Sequence, residues 1–302
     1  MSRVHDALRR AAQAGELATE HVGHAGAAAP PGGGSSVASV IDGVPTNPGF
    51  LDSVQEIAWA PSPDSLLIDP TRPHEAPSEE FRSLRTRLNH MQTLQPIHSI
   101  VVTSASPAEG KSFAAMNLAL AEAQLAGNRT LLADFDFRRP VIHSLLQISR
   151  SPGITDYLLG KAPLEAIIRK VANSNLYVMT AGEAVINPLE LLNLREVKQL
   201  IEDLPQLFNW VILDTPPLLF AADANLLSTL CHGSILVVRI GATTIDAVTR
   251  AMQSLCQNNV LGIVVNGARR GELYSKYTYY HSYYQQKEEG ADETEPERAR
   301  SE

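Results

Sequence analysis

From residue 78 onward the chain alternates short apolar runs with longer amphipathic stretches. Runs such as Val211-Ile212-Leu213 and Ile235-Leu236-Val237-Val238 have no polar face and are short, which predicts strands buried on both sides of a sheet. Strands are expected at 97–103, 130–135, 175–180, 209–214, 233–240 and 260–265, and helices at 78–90, 111–126, 188–203, 221–230 and 243–257. Their alternation predicts an α/β fold, a mostly parallel sheet with helices on both faces.

The flanks read differently. Residues 3–17 carry Val4, Leu8, Ala11 and Ala12 on one helical face, so a short amphipathic helix is expected within 1–22. Residues 23–48 are rich in Gly, Ala, Pro and Ser and cannot build a core. With the proline-interrupted stretch that follows, they are assigned as a flexible linker over 23–77. The expected organisation is therefore helix 1–22, linker 23–77, folded domain 78–270, and a tail over 271–302 that is tyrosine-rich and then acidic.

Composition narrows the class of function. At 302 residues and 44% hydrophobic the chain can bury a sizeable core, and a net charge of -8 gives no general reason to bind nucleic acid. Cys231 and Cys256 lie in apolar stretches without metal-ligand spacing and are expected to be free thiols. The sequence has neither an apolar run of about 18 residues nor a secretion-signal pattern at its start, so a cytoplasmic location is expected.

The chemistry concentrates behind the first strong strand. Ser104-Ala105-Ser106-Pro107-Ala108-Glu109-Gly110-Lys111-Ser112 joins an expected strand to an expected helix, the setting of a P-loop. In that setting backbone N–H groups and the helix N-terminus converge on phosphate oxygens. The candidates to hold ATP are Pro107, Ala108, Glu109, Gly110, Lys111, Ser112 and Phe113, with the Ser112 hydroxyl directed at Mg2+. Ala105 replaces the usual first glycine. Asp214 ends the strand 209–214, where a carboxylate lies at the ligand-binding edge of a parallel sheet. Asp134 and Asp136 end another strand, two residues apart and thus on one face, followed by Arg138 and Arg139. Those arginines can offset phosphate charge or pair with the acids. Asn266 closes the last expected strand, and an adenine contact and a structural turn both remain open for it.

Six of the eight tyrosines fall in 274–284: Tyr274, Tyr277, Tyr279, Tyr280, Tyr283 and Tyr284. Their spacing fits no single helix or strand face.

Taken together these motifs resemble the bacterial tyrosine kinases of capsular and exopolysaccharide systems. Residues 106–112 resemble that family's Walker A motif, 131–140 its additional Walker A′ motif, and Ile212-Leu213-Asp214-Thr215-Pro216-Pro217 its Walker B motif. Glu79, Arg82 and Arg85 match its Glu-x-x-Arg-x-x-Arg pattern, and Asn187-Pro188-Leu189-Glu190-Leu191-Leu192 and the tyrosine cluster are also similar.

The resemblance implies a P-loop NTPase fold and an ATP- and Mg2+-dependent protein-tyrosine autokinase that modifies its tyrosine cluster in trans and regulates polysaccharide polymerisation and export. It further implies Lys111, Asp134, Asp136 and Asp214 as catalytic, and Ser112, Asp134, Asp136 and Asp214 at the metal. Of these, Asp134 is shared between metal and proton acceptance. Glu79, Arg82 and Arg85 are implied at the subunit contact of a homo-oligomeric ring. The implied partners are a membrane polysaccharide co-polymerase that recruits and activates a split-form kinase at the inner face of the membrane, and a tyrosine phosphatase. Two other readings compete: a Min/Par-type nucleotide switch, and a degenerate nucleotide-binding scaffold. Against the first, Ser106 stands where Min/Par ATPases carry a lysine that crosses their dimer.

Overall fold

Three neighbouring strands at the centre of the sheet have every residue buried: β2 (Ser99–Ser104), β3 (Thr130–Asp134) and β6 (Trp210–Asp214). In β3 and β6, successive side chains go to opposite apolar layers: Leu131, Ala133, Val211 and Leu213 to one, and Leu132, Trp210 and Ile212 to the other. That is the period-two geometry of a strand covered on both sides. The computed structural model describes residues 49–61, 68, 78–255 and 260–268; the amino-terminal helix, most of the linker, Cys256 and the tyrosine cluster lie outside them.

The remaining elements follow in chain order. β1 (Gln55–Ile57) and α1 (Ser78–Leu94) precede β2, and α2 (Lys111–Ala123) links it to β3. Three short helices follow: α3 (Ile142–Leu145), α4 (Ile154–Leu158) and α5 (Leu164–Ile167). Then come β4 (Ile168–Val171), β5 (Leu176–Met179), α6 (Pro188–Leu192) and α7 (Arg195–Leu207). After β6 the chain continues through α8 (Asp223–Leu230), β7 (Gly233–Arg239), α9 (Ile245–Ser254) and β8 (Val260–Asn266).

The eight strands form one sheet in the order β1-β4-β5-β3-β6-β2-β7-β8. Every pairing is parallel except β4 with β5. β6 lies between β2 and β3, so the connection through α2 crosses over it, and the strand order reverses there. Such a switch point opens a crevice at the carboxyl ends of the strands.

Each face is closed by helices with a matching apolar stripe. α7 buries Val197, Leu200, Ile201, Leu204 and Leu207, the spacing of one helical face. Full burial of each such side chain contributes roughly 1.5–3 kcal/mol. On the other face α2 buries every residue from Ala114 to Ala123 because α1 packs over it.

The structure adds three short helices that the sequence reading did not expect, α3, α4 and α5, and differs from it in three further places. Part of the expected linker is folded: Phe50 and Leu51 are buried, and β1 pairs with β4. Gln-Glu-Ile carries no apolar alternation, so nothing in the sequence marked it as an edge strand. The expected helix 188–203 is two helices, because Leu194 adopts an extended backbone (φ -66°, ψ 146°) that ends one and starts the next. β4 was missed because Arg169 and Lys170 fill its middle. Arg169 is nevertheless buried, its guanidinium donating to the carbonyls of Ser149 and Pro152 and to the Thr180 hydroxyl.

A polar network ties α1, α2 and β6 together. The Asn89 amide donates to Glu122 Oε2 (2.8 Å) while its oxygen accepts the Trp210 indole N–H (3.2 Å). Asn128 also donates to Glu122 Oε2 (3.0 Å), and Oε1 has no hydrogen-bond partner. Glu122 is fully buried, and that burial pushes its carboxyl up to about 7 against the opposing effect of Asn89 and Arg85. A carboxyl raised in the folded state is stabilising to bury while protonated. Stability is therefore lost as pH climbs from its ordinary range through about 7, a displacement worth on the order of 3 kcal/mol. Glu122→Gln is expected to match the parent protein in urea denaturation at pH 5 and to exceed it at pH 8. An advantage of the same size at both pH values would show that the carboxylate is not the source.

Candidate functional site

The register of the sheet places the acids. Asp134 of β3 and Asp214 of β6 are partner residues at the carboxyl ends of adjacent strands, and Val102 of β2 pairs with the same Asp214. Two residues further β2 ends, and the chain turns through 105–110 into α2. The phosphate-loop candidates and the strand-end carboxylates therefore share one edge for topological reasons, before any side chain is considered.

The loop's backbone is set by two residues at positive φ. Gly110 caps α2 with a left-handed backbone (φ 94°), and a side chain there would run into the Asn266 amide. Both facts require glycine. Ala108 also has positive φ (62°), which costs a non-glycine residue on the order of 1–2 kcal/mol. Ala105, by contrast, is not among the positive-φ residues. Its methyl group is buried in the apolar cluster with Leu218 and Leu236, so the position has no need of the usual glycine. The first N–H groups of α2 have no partner within the helix and bring its positive dipole end to the same spot.

Lys111 reaches from the start of α2 into the acids. Its Nζ donates to Asp136 Oδ2 (2.7 Å), lies 3.5 Å from Asp214 Oδ1, and approaches the Ser112 hydroxyl at 3.2 Å. The three carboxylates are almost wholly buried yet differently occupied. Asp134 accepts three backbone N–H groups, from Asp136, Val141 and Ile142. Asp136 gives Oδ1 to the N–H of Arg139 and Oδ2 to Lys111. Asp214 has no hydrogen bond to either oxygen.

Electrostatics follow from that crowding. Burial raises the pKa of Asp214, and the Lys111 ammonium opposes the rise. Burial and the neighbouring Asp214 push Asp134 well above the carboxylate range, opposed by the N–H of Ile142. Burial also disfavours the Lys111 charge, but Asp214, Asp136 and Asp134 outweigh it and its pKa is raised.

Other expected residues take more particular positions. Arg138 does not pair with the adjacent acids; it forms a two-pronged ion pair with the buried Asp223 of α8 (2.8 and 3.0 Å). The side chain of Arg139 is exposed. Asn266 donates to the Glu109 carbonyl (3.0 Å) and accepts the Gly267 N–H (2.8 Å), so both ends of its amide serve the protein. The Phe113 ring stacks edge-on against Phe81, in the α1–α2 contact. Glu79, Arg82 and Arg85 lie together on α1 along an open cleft of about 670 Å³ that also takes in Arg87, Gln124 and Leu125. Asp223 was missed in the sequence; an acid at a helix start ordinarily reads as a capping residue.

No family model matches the chain. It is 35% identical over 216 residues to the tyrosine-protein kinase YwqD of Bacillus subtilis, covering 71% of this chain and 90% of that protein. It is 34% identical over 204 residues to the tyrosine-protein kinase etk of Escherichia coli, covering 67% of this chain but only 28% of that longer protein. Among solved structures, the chimerical protein CapA2B2 superposes with a TM-score of 0.63 at 31% identity, over 70% of this chain and 92% of that one. The cell division ATPase MinD of Pyrococcus furiosus is more distant, with a TM-score of 0.50 at 21% identity over 58% of this chain and 74% of that one, and shares the fold. The P-loop fold common to these structures is a nucleotide-binding one.

Lys111 is the cation that balances the buried acids. Lys111→Met is expected to lower stability without nucleotide by about 3 kcal/mol, the scale of breaking a buried ion pair. Removing the cation raises the folded-state pKa values of the acids further, so the penalty grows as pH rises. Urea midpoints at pH 5.5 and pH 8 check this; an equal loss at both would mean that Lys111 does not neutralise the cluster.

Proposed function

The chain belongs to the bacterial tyrosine kinase family and is a protein-tyrosine kinase; on that premise we propose that it transfers the γ-phosphoryl group of Mg·ATP to the tyrosines of the 274–284 cluster on a neighbouring copy. The observation that carries this is the convergence of Lys111, Ser112, Asp136, Asp134 and Asp214 at the mouth of one phosphate loop.

The residues present fit a hard divalent cation. Asp214 keeps a fully buried carboxylate without hydrogen-bond partners, and Asp136 and the Ser112 hydroxyl offer further oxygen ligands beside it. Mg2+ held there would neutralise charge on the phosphate chain. Lys111 and the backbone N–H groups of residues 108–113 would bind and orient the β- and γ-phosphates. A tyrosine phenol, with a pKa of about 10, needs an acceptor for its proton. Asp134 suits that role by its place: it lies in register with Asp214, and the three N–H bonds that favour its charged form leave room for one more of its about four acceptor sites. The phenolate oxygen then attacks phosphorus, the bond to the β-phosphate oxygen breaks, and ADP leaves.

The wider setting is inferred from the same membership. Glu79, Arg82 and Arg85 would form the subunit contact of a ring, bringing one copy's tail to the next copy's site. No described helix is long and apolar enough to cross a membrane. We infer that a membrane polysaccharide co-polymerase recruits and activates the cytoplasmic kinase at the inner face of the membrane, and that the output is control of exopolysaccharide polymerisation and export. A tyrosine phosphatase would reset it.

The test is phosphotyrosine mass spectrometry of the full chain with Mg·ATP, with and without the cytoplasmic segment of a co-polymerase encoded nearby. Phosphate is expected on 274–284, lost in Lys111→Ala and in a variant with all six tyrosines changed to Phe. Nucleotide binding without phosphotyrosine, even with the activator segment, would instead support a nucleotide-switch scaffold.

A further inference from the structure

The phosphate loop is held from outside by side chains of the β7–β8 half of the sheet. Thr243, in the turn between β7 and α9, donates its hydroxyl to Glu109 Oε1 (2.6 Å) and accepts the backbone N–H of Arg239 (2.8 Å). Glu109 is only 3% exposed and uses its other oxygen to accept the N–H of Ser106 (2.9 Å). Arg239 Nη1 donates to the carbonyl of Ala108 (3.1 Å), the residue held at positive φ. The Asn266 amide takes the carbonyl of Glu109.

Two features of this arrangement are unfavourable taken singly. A non-glycine residue sits in the left-handed region, and an acidic side chain is buried in a loop assigned to receive phosphate. Such features persist only where surrounding bonds over-determine them. Glu109 supplies the constraint within the loop, joining residue 109 back to the N–H of 106. Thr243 fastens Glu109 to β7. If the hydroxyl of Thr243 only shaped its own turn, accepting the Arg239 N–H would be enough. Its proton goes across to Glu109, 134 positions away in sequence.

We propose that Thr243 is a positioning residue for nucleotide. By holding the Glu109 carboxylate it keeps the loop N–H groups in the arrangement that receives phosphates. This deepens the assignment of residues 107–113 as the nucleotide site and rests on it. The lost interaction is made equally in ground and transition states, so its removal affects uniform binding.

The experiment is Mg·ADP titration by calorimetry on the full chain, together with the ATP dependence of autophosphorylation in the presence of the activator segment. The parent protein is compared with Thr243→Val, Thr243→Ser and Lys111→Ala. Thr243→Val is expected to weaken Mg·ADP binding and to raise KM for ATP by about tenfold, the scale of one buried hydrogen bond, with kcat unchanged. Thr243→Ser keeps the hydroxyl and should restore both. A fall in kcat at unchanged KM would mark general loss of folded enzyme and overturn the proposal. So would Thr243→Val binding like the parent protein, or Thr243→Ser failing alongside it. If Thr243→Val does not fold, Thr243→Ala decides, since it removes the hydroxyl that donates to Glu109 Oε1 without placing a larger apolar group in the turn. Weaker binding is expected there, and unchanged or tighter binding would sink the idea. Mg·ADP binding that Lys111→Ala leaves intact would instead overturn the assignment of the loop itself.

Discussion

Three carboxylates, almost wholly buried, gather around one ammonium group, and most of the catalytic edge is arranged to make that tolerable. Desolvation alone would neutralise Asp134 and Asp214, and repulsion between them would separate the strands that carry them. Lys111 offsets part of this directly. Backbone N–H groups from 136, 139, 141 and 142 offset more at Asp134 and Asp136. Asp214 is the least satisfied of the three: it has the Lys111 ammonium at 3.5 Å and the Ser112 hydroxyl nearby, but no close hydrogen bond to either oxygen. A site that balances itself except at one carboxylate is prepared for a further positive charge at that place. That imbalance is what supports the proposed divalent cation.

The crowding originates in the strand order. Because β6 inserts between β2 and β3, its terminal Asp214 lies in register with Asp134 on one side and faces the phosphate loop on the other. A sheet ordered by sequence would have put those ends several strand spacings apart, each spacing about 4.8 Å. The apolar residues of the three strands, sorted to two faces by strict alternation, fix the register; a slip by one residue would exchange the faces and bury the acids elsewhere. Packing of Trp210, Ile212 and Leu132 against α2, and of Leu131 and Val211 on the opposite face, is therefore part of the chemistry.

Much of this was legible in the sequence, and the residues that were not show why. Lys111, Ser112, Asp134, Asp136 and Asp214 stand at or near the ends of strongly apolar strands or beside a glycine turn, where local pattern and candidate chemistry coincide. The occupancy of the three acids was not legible, because it depends on which backbone N–H groups the turn after β3 directs back at them. Arg138 adjoins the acids in sequence yet pairs with Asp223, 85 positions away. Asn266 closes a strand as expected, but its amide supports Gly110 and Glu109 in a long-range contact that a strand pattern does not announce. β1 and β4 escaped notice for the same reason: one is short and polar, and the other carries an arginine whose bonds come from distant carbonyls.

The helix that opens at the phosphate loop ends at the surface motif, and this joins the two halves of the family resemblance physically. α2 is 13 residues long, about 20 Å, and almost every side chain on it is buried. Its first turn carries Lys111 and Ser112; near its other end Arg85 donates to the carbonyl of Ala121 (2.9 Å), and Asn89 grips Glu122. Arg85 thus terminates α2 as well as facing the cleft. Glu79 and Arg82 have no such anchor: they face each other at 3.7 Å, with 65% and 30% of their side chains exposed. An exposed pair at that distance contributes little on its own and gives up little by changing partners. The three residues of one surface pattern are therefore physically unequal. Arg85 belongs to the fold and holds the helix that presents the phosphate loop, whereas Glu79 and Arg82 are the two that the proposed subunit contact would use.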